Sequence, residues 1–182
     1  ESTLTLHSMN NIDPAWEHRI ASLWSAIDSY EPEVFVAEVN RLAAELPSDS
    51  PVAYFERAAA EDSTGHPDLA VPLYRTALAI GLGGMRRRRA TIQMASSLRN
   101  LGNPKEAADL LAAEVGAASD ELDGAVLAFL ALVLADLGRE REALSHSLTA
   151  LSRCLPRYNR SLARYAAELM VSTRSEPPKN AP

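Results

Sequence analysis

Residues 98–111 read LRNLGNPKEAADLL, and residues 134–147 read LADLGREREALSHS. Offset by 36 positions, they share Leu98 with Leu134, Leu101 with Leu137, Gly102 with Gly138, Glu106 with Glu142 and Ala107 with Ala143. A phrase repeated at this distance marks a structural unit that cannot hide its apolar side alone and stacks on its own copies. The phase extends outward. Gly65 precedes Gly102 by 37, and Ala70, Ala107 and Ala143 each follow their glycine by five. Ala58, Ala95 and Ala131 each precede it by seven, and a weaker copy is marked by Ala37 and Ala44, 33 before Ala70 and Ala77. Small residues at these points let two helices of a hairpin approach closely, and the glycine turns the chain back.

Proline supplies the punctuation. Pro14, Pro32, Pro51, Pro67 and Pro104 stand where helices begin, because the first helical position loses nothing by lacking an N–H. Asp13, Ser50 and Asn103 precede three of them as N-caps. Pro47 and Pro156 fall where helices stop. Between these marks apolar residues recur at three and four, which predicts nine helices, near 14–29, 32–46, 51–63, 67–80, 85–101, 104–117, 122–137, 140–154 and 157–172. The short links make successive helices antiparallel neighbours. Pro72 lies inside the fourth helix and predicts a kink or a late start there. The organisation expected is a flexible segment over 1–12, with Met9 as a candidate natural start, one helical domain over 13–172, and a disordered tail over 173–182.

Composition agrees with packed helices: 47% of residues are hydrophobic but only 5% aromatic, so the core depends on close approach of small side chains. The net charge of −6 argues against nucleic acid, which selects cationic surfaces. The charge is uneven: residues 1–85 carry 4 Arg or Lys against 13 Asp or Glu, and residues 86–182 carry 14 against 11. The longest apolar run, Ala125–Ala135, has 11 residues, too few to span a bilayer. One cysteine, Cys154, rules out an intrachain disulfide and points to a reducing, cytoplasmic setting.

These features resemble the tetratricopeptide repeat, a helix–turn–helix unit of about 34 residues. Over roughly residues 30–156, the family's small residue of the first helix falls on Ala58, Ala95 and Ala131, its bulky residue on Tyr54 and Leu127. The second helix matches at Ala70, Ala107 and Ala143, with Tyr74 and Leu111 in the large-residue place and Pro156 at the end. The segment RRRRATIQMASSLRNLG (86–102) is similar to a bacterial subfamily of small tetratricopeptide-type proteins. Glu61, Glu114 and the Gly81–Gly84 insertion depart from the pattern. The resemblance implies an all-α fold, an α-α superhelix or right-handed solenoid of antiparallel hairpins, with the last helix as a cap. Tyr158, Leu162, Tyr165, Leu169 and Met170 would form that cap's apolar stripe.

The resemblance also implies that the first helix of each hairpin lines a concave surface that binds a partner. On helix 85–101 that row is Arg89, Gln93, Ser96 and Asn100, with Arg99 beside it. The equivalent row before it is Val52, Glu56, Ala59 and Ser63, and the one after it Ala125, Phe129, Leu132 and Asp136. Arg89, Arg99 and Asn100 would grip a carboxylate or a peptide backbone, unless Glu56 pairs with Arg89. Helix 122–137 is apolar nearly all round, so Phe129 and Leu132 need a cover, expected from the final helix or a partner.

No catalytic constellation is legible. Arg86–Arg89 point all round a helix and suit salt bridges to the acidic first half. The GLGG before them lacks the residues of a phosphate loop and serves as a flexible link. The four histidines have no metal-ligand spacing, and His146 lies about 12 Å along a helix from Cys154. The sequence thus predicts no enzyme, no cofactor and no metal. It predicts a scaffold that docks a protein or peptide partner in its groove, away from membrane and nucleic acid. The alternative is a self-associating subunit whose apolar patch joins a homodimer.

Overall fold

The computed structural model describes residues 12–117 and 120–172. The expected flexible N-terminal segment, Ile12 apart, and the expected tail lie outside them. Among the described residues there are nine α-helices and no strand: α1 (Pro14–Ser25), α2 (Pro32–Ala43), α3 (Pro51–Ser63), α4 (Pro67–Ala79), α5 (Gly84–Asn100), α6 (Pro104–Glu114), α7 (Asp123–Asp136), α8 (Glu140–Cys154) and α9 (Asn159–Ser172). All five flagged prolines are first helical residues. The caps are uneven. Asp13 Oδ1 accepts from the Ala15 N–H at 2.9 Å, and Ser50 Oγ from the Ala53 N–H at 3.4 Å. Asn103 occupies the cap position without capping, because its amide Nδ2 turns back to donate to the Leu101 carbonyl at 3.4 Å.

The chain divides into two compact units, Glu1–Ala90 and Thr91–Pro182. In the first, α1 packs on α2, α2 on α3 and α3 on α4. Trp16 is buried and its indole N–H donates to the Leu42 carbonyl at 2.8 Å, which fixes α1 against the end of α2. Trp24 meets the Phe35 ring edge-on at 5.0 Å. The α3–α4 hairpin closes on Ala58, Ala70 and Ala77, each with no exposed surface, and on the buried pair Phe55 and Tyr74. Tyr74 donates to Asp62 Oδ2 at 3.4 Å, and burial together with that carboxylate pushes its phenol above the usual range.

In the second unit α6 packs on α7, α7 on α8 and α8 on α9. Ala95 and Ala107 are fully buried, and Ala131 and Ala143 nearly so. The duplicated phrases are the same turn built twice. After α5, the Asn103 N–H donates to the Leu98 carbonyl at 2.9 Å and the Gly102 N–H to the Arg99 carbonyl at 3.0 Å. After α7, Arg139 bonds Leu134 and Gly138 bonds Ala135 at the same two distances. Gly102 and Gly138 have φ of +79° and +70°, the left-handed conformation this cap needs. The α3 turn repeats the pattern with His66 on Glu61 and Gly65 on Asp62.

Four local expectations are corrected. The fourth helix does not start late; it begins at Pro67 and continues through Pro72, with Thr76 Oγ1 donating to the Pro72 carbonyl at 3.0 Å. The first helix ends at Ser25, followed by a 3-10 turn over Ile27–Ser29, after Ser22 and Ser25 have bonded back to carbonyls one turn earlier. Gly81 is a helix terminator rather than part of a loose link: the Leu82 N–H donates to the Ala77 carbonyl at 2.9 Å across it. The last helix starts at Asn159, since Tyr158 has a left-handed φ of +65°.

Candidate functional site

Of the row expected at the acidic end of the groove, only Ser63 is exposed. Val52, Glu56 and Ala59 on α3 are all buried. The Glu56 carboxylate accepts from the Trp24 indole N–H at 2.8 Å and from Arg86 Nε at 3.0 Å. Arg86 turns its two remaining nitrogens to the Glu17 carboxylate at 2.8 and 2.6 Å. One guanidinium at the start of α5 thus ties α1 to α3. Burial raises the Glu56 carboxyl above its usual value despite Trp24 and Arg86, whereas the Arg86 hydrogen bonds hold Glu17 below its own. Glu56 therefore serves the interior of the first unit and is corrected as a groove residue.

The expected Glu56–Arg89 pair is also replaced. Arg86, one turn earlier on the same side of α5, takes the carboxylate. Arg89 is exposed, with its guanidinium 5.3 Å from the centre of the Phe55 ring. Sequence reasoning missed Trp24 and, within the arginine run, singled out Arg89 where Arg86 takes the carboxylate. The signal for Trp24 lay in its spacing of eight from Trp16, which puts both indoles on one side of α1. That helix falls outside the stretch of repeat resemblance, so no register assigned it a place.

The second unit keeps an open row. On α5, Gln93 and Ser96 are half-buried and Asn100 is exposed. Arg99 reaches α7, where its Nε lies 2.5 Å from Asp136 Oδ2 and its Nη2 3.2 Å from Oδ1. The expected cationic stretch is thereby neutralised: what α5 offers here is hydrogen bonding, not charge. One turn before Asp136 on α7, Leu132 is 48% exposed and Phe129, at the flank, is half-buried. Val126, Leu127, Leu130, Val133 and Leu134 are buried on the other sides of the same helix. The final helix does not cover this row. It lies along α8, where Ser145 Oγ donates to the Ala166 carbonyl at 2.7 Å and Arg141 Nε to the Leu169 carbonyl at 3.0 Å. Only residues 155–158 join α8 to α9, which keeps the last helix beside its predecessor. Of its predicted apolar stripe, Tyr158 and Tyr165 are 78% and 53% exposed and the buried residue is Ala166.

Two cavities open in the first unit. One, of about 300 Å³, is lined by His18, Arg19, Tyr30, Glu38 and Arg41 among others, and its arginines already pair with Glu45 and Glu38. The other, of similar volume, borders Val52, Leu82, Met85 and Arg86, and the Arg86 fork is fully engaged. Among the described residues no cluster of His, Cys, Asp or Glu is arranged to hold a metal, and no helix is long and apolar enough to cross a membrane. Cys154 is exposed, and His146, half-buried, has its pKa lowered by burial.

The repeat of alanine-tight hairpins and left-handed glycine caps has a counterpart in known sequences, though no curated protein and no solved structure matches the chain. A family model described as tetratrico peptide repeat matches residues 51–169, and the chain belongs to that family.

Proposed function

We propose that this protein is a non-enzymatic, cytoplasmic scaffold that takes an extended segment of another polypeptide against the α5–α7 row of its second unit. The observation that carries the reading is Leu132: 48% exposed on α7, whose other large aliphatic side chains, Val126, Leu127, Leu130, Val133 and Leu134, are buried. Exposed leucine flanked by Phe129 is suited to one apolar side chain of the ligand. Ser96, Asn100 and the amide of Gln93 are suited to its backbone N–H and C=O groups. Arg99 and Asp136, locked on each other, hold the two helices at a fixed spacing and leave no net charge for the ligand to match. The selectivity expected is therefore for an uncharged segment with a bulky apolar residue, not for a terminal carboxylate. Arg89, in the first unit, is left as a separate exposed cation.

The test is selection of peptides from a random displayed library on the full chain, followed by affinity measurement. Leu132→Asp should weaken the selected peptides by at least about tenfold and Asn100→Ala by a few fold, with melting unchanged. Enrichment of no peptide, or equal binding by both variants, would overturn the reading. Conversion of a dimer to a monomer by Leu132→Asp would instead assign the row to contact between copies of the chain.

A further inference from the structure

A different surface carries a second inference. Residues 12–45 hold seven carboxylates against two arginines, and residues 157–172 hold three arginines against one glutamate. In the first segment Glu17, Glu38 and Glu45 are taken up by Arg86, Arg41 and Arg19. Asp28, Glu31 and Glu33 are exposed and make no ion pair among the described residues, and Tyr30 and Val34 stand exposed between and beside them. In the second segment Arg164 lies 3.7 Å from Glu168 and over the Tyr165 ring at 4.9 Å, and Arg157 and Arg160 make no ion pair among the described residues. The exposed Tyr158 and Tyr165 accompany these arginines.

Arg157 and Arg160 are not explained by the helix they begin. Cations at a helix N-terminus oppose its dipole, so α9 would be better served by carboxylates there. Tyr158 adds a left-handed φ at a bulky residue, an unfavourable conformation that leaves its ring in solvent. Each patch thus presents unpaired charge around exposed tyrosine, with opposite signs.

We propose that the Arg157–Arg160–Tyr158 face at the start of α9 docks on the Asp28–Glu31–Glu33 edge at the start of α2 in a second copy of the chain. The two faces are unlike, so one contact leaves a free face at either end. Association is head-to-tail, with one face of each sign at every contact. Guanidinium–carboxylate forks set the register, and the tyrosines supply apolar area with a polar tip. An anionic membrane is the competing occupant of an arginine–tyrosine face, but the net charge of −6 opposes it.

Sedimentation velocity of the full chain over roughly a hundredfold range of concentration tests this. The average mass should rise with concentration in about 0.1 M salt and fall back in about 1 M, where the screening length shrinks from about 10 to about 3 Å. Arg157→Glu with Arg160→Glu should weaken association by at least about tenfold, and so should Glu31→Arg with Glu33→Arg, with circular dichroism unchanged. Mixing the two reversed proteins should restore it, because each then meets the opposite charge on the other. Leu132→Asp should leave it intact. A monomer at every concentration, association indifferent to both reversals, failure of the mixture to recover, or loss only with Leu132→Asp would each overturn the proposal. So would a monomeric chain that binds phosphatidylserine vesicles through Arg157 and Arg160.

Discussion

Arg86 is one of four consecutive arginines, and geometry alone separates its role from that of Arg89. Its three nitrogens close on Glu56 and Glu17, so its removal leaves a buried carboxylate facing only an indole N–H. Arg86→Met is expected to cost about 3 kcal/mol at neutral pH, as breaking one side of a buried ion pair does. The sign of the pH dependence follows from both partners. Glu56, already raised by burial, rises further without Arg86, and in acid it is neutral and no longer an uncompensated charge. Glu17 is depressed by Arg86, so its share of the stability is present above the unfolded value and disappears as pH falls through the folded one. Both effects make the loss smaller in acid. Urea denaturation of wild type and variant near pH 7 and near pH 4.5 should give a smaller difference at the lower pH; an equal or larger one would place the stabilisation elsewhere. The composition of this network was half legible. Arginines bound for the acidic first half could be read from charge counts, but the choice of Arg86 depends on where α1 brings Trp24.

At the scale of elements the sequence was read most reliably where backbone chemistry leaves few options. A glycine seven residues after a small one, followed by an alanine five residues later, can scarcely be anything but a left-handed turn between two close helices. Side-chain caps and helix ends were less legible, because Asn103, Ser22 and Ser25 can bond either way and tertiary packing decides between them. The glycines permit a paired test. Gly102 sits at φ +79° with open space around a would-be Cβ, so Gly102→Ala costs conformational energy alone, about 1–2 kcal/mol. Gly124 lies in the first turn of α7 with ordinary φ and equally open space. Gly124→Ala should add about 0.5–1 kcal/mol by restricting the unfolded chain. Chemical denaturation should move the two midpoints in opposite directions; a shift of the same sign would mean that the turn after α5 is not held by its glycine.

Across the whole molecule, the hidden part was what covers each face. The repeat register placed Glu56 and Phe129 in one lining, whereas in the first unit α1, which lies outside that register, puts Trp24 on Glu56, and in the second α9 lies along α8 while Leu132 stays exposed. A repeating pattern reports the contacts within and between units but not those of terminal helices, whose outer sides obey no repeat. The same reasoning predicts where the molecule yields first. Ala166 is the one fully buried residue of α9 among those described, and the helix is held to α8 by half-buried side chains and the Ser145 and Arg141 hydrogen bonds. By contrast α3 buries most of its length. In dilute solution the amides of α9 should exchange with deuterium at least about tenfold faster than those of α3, measured by mass spectrometry of proteolytic fragments. Raising the protein concentration should slow exchange at the start of α9 and at the start of α2 together, since these are the two faces proposed to meet, while exchange in α7 stays as it was. Protection that grows in α7 instead would move the contact between copies to Leu132.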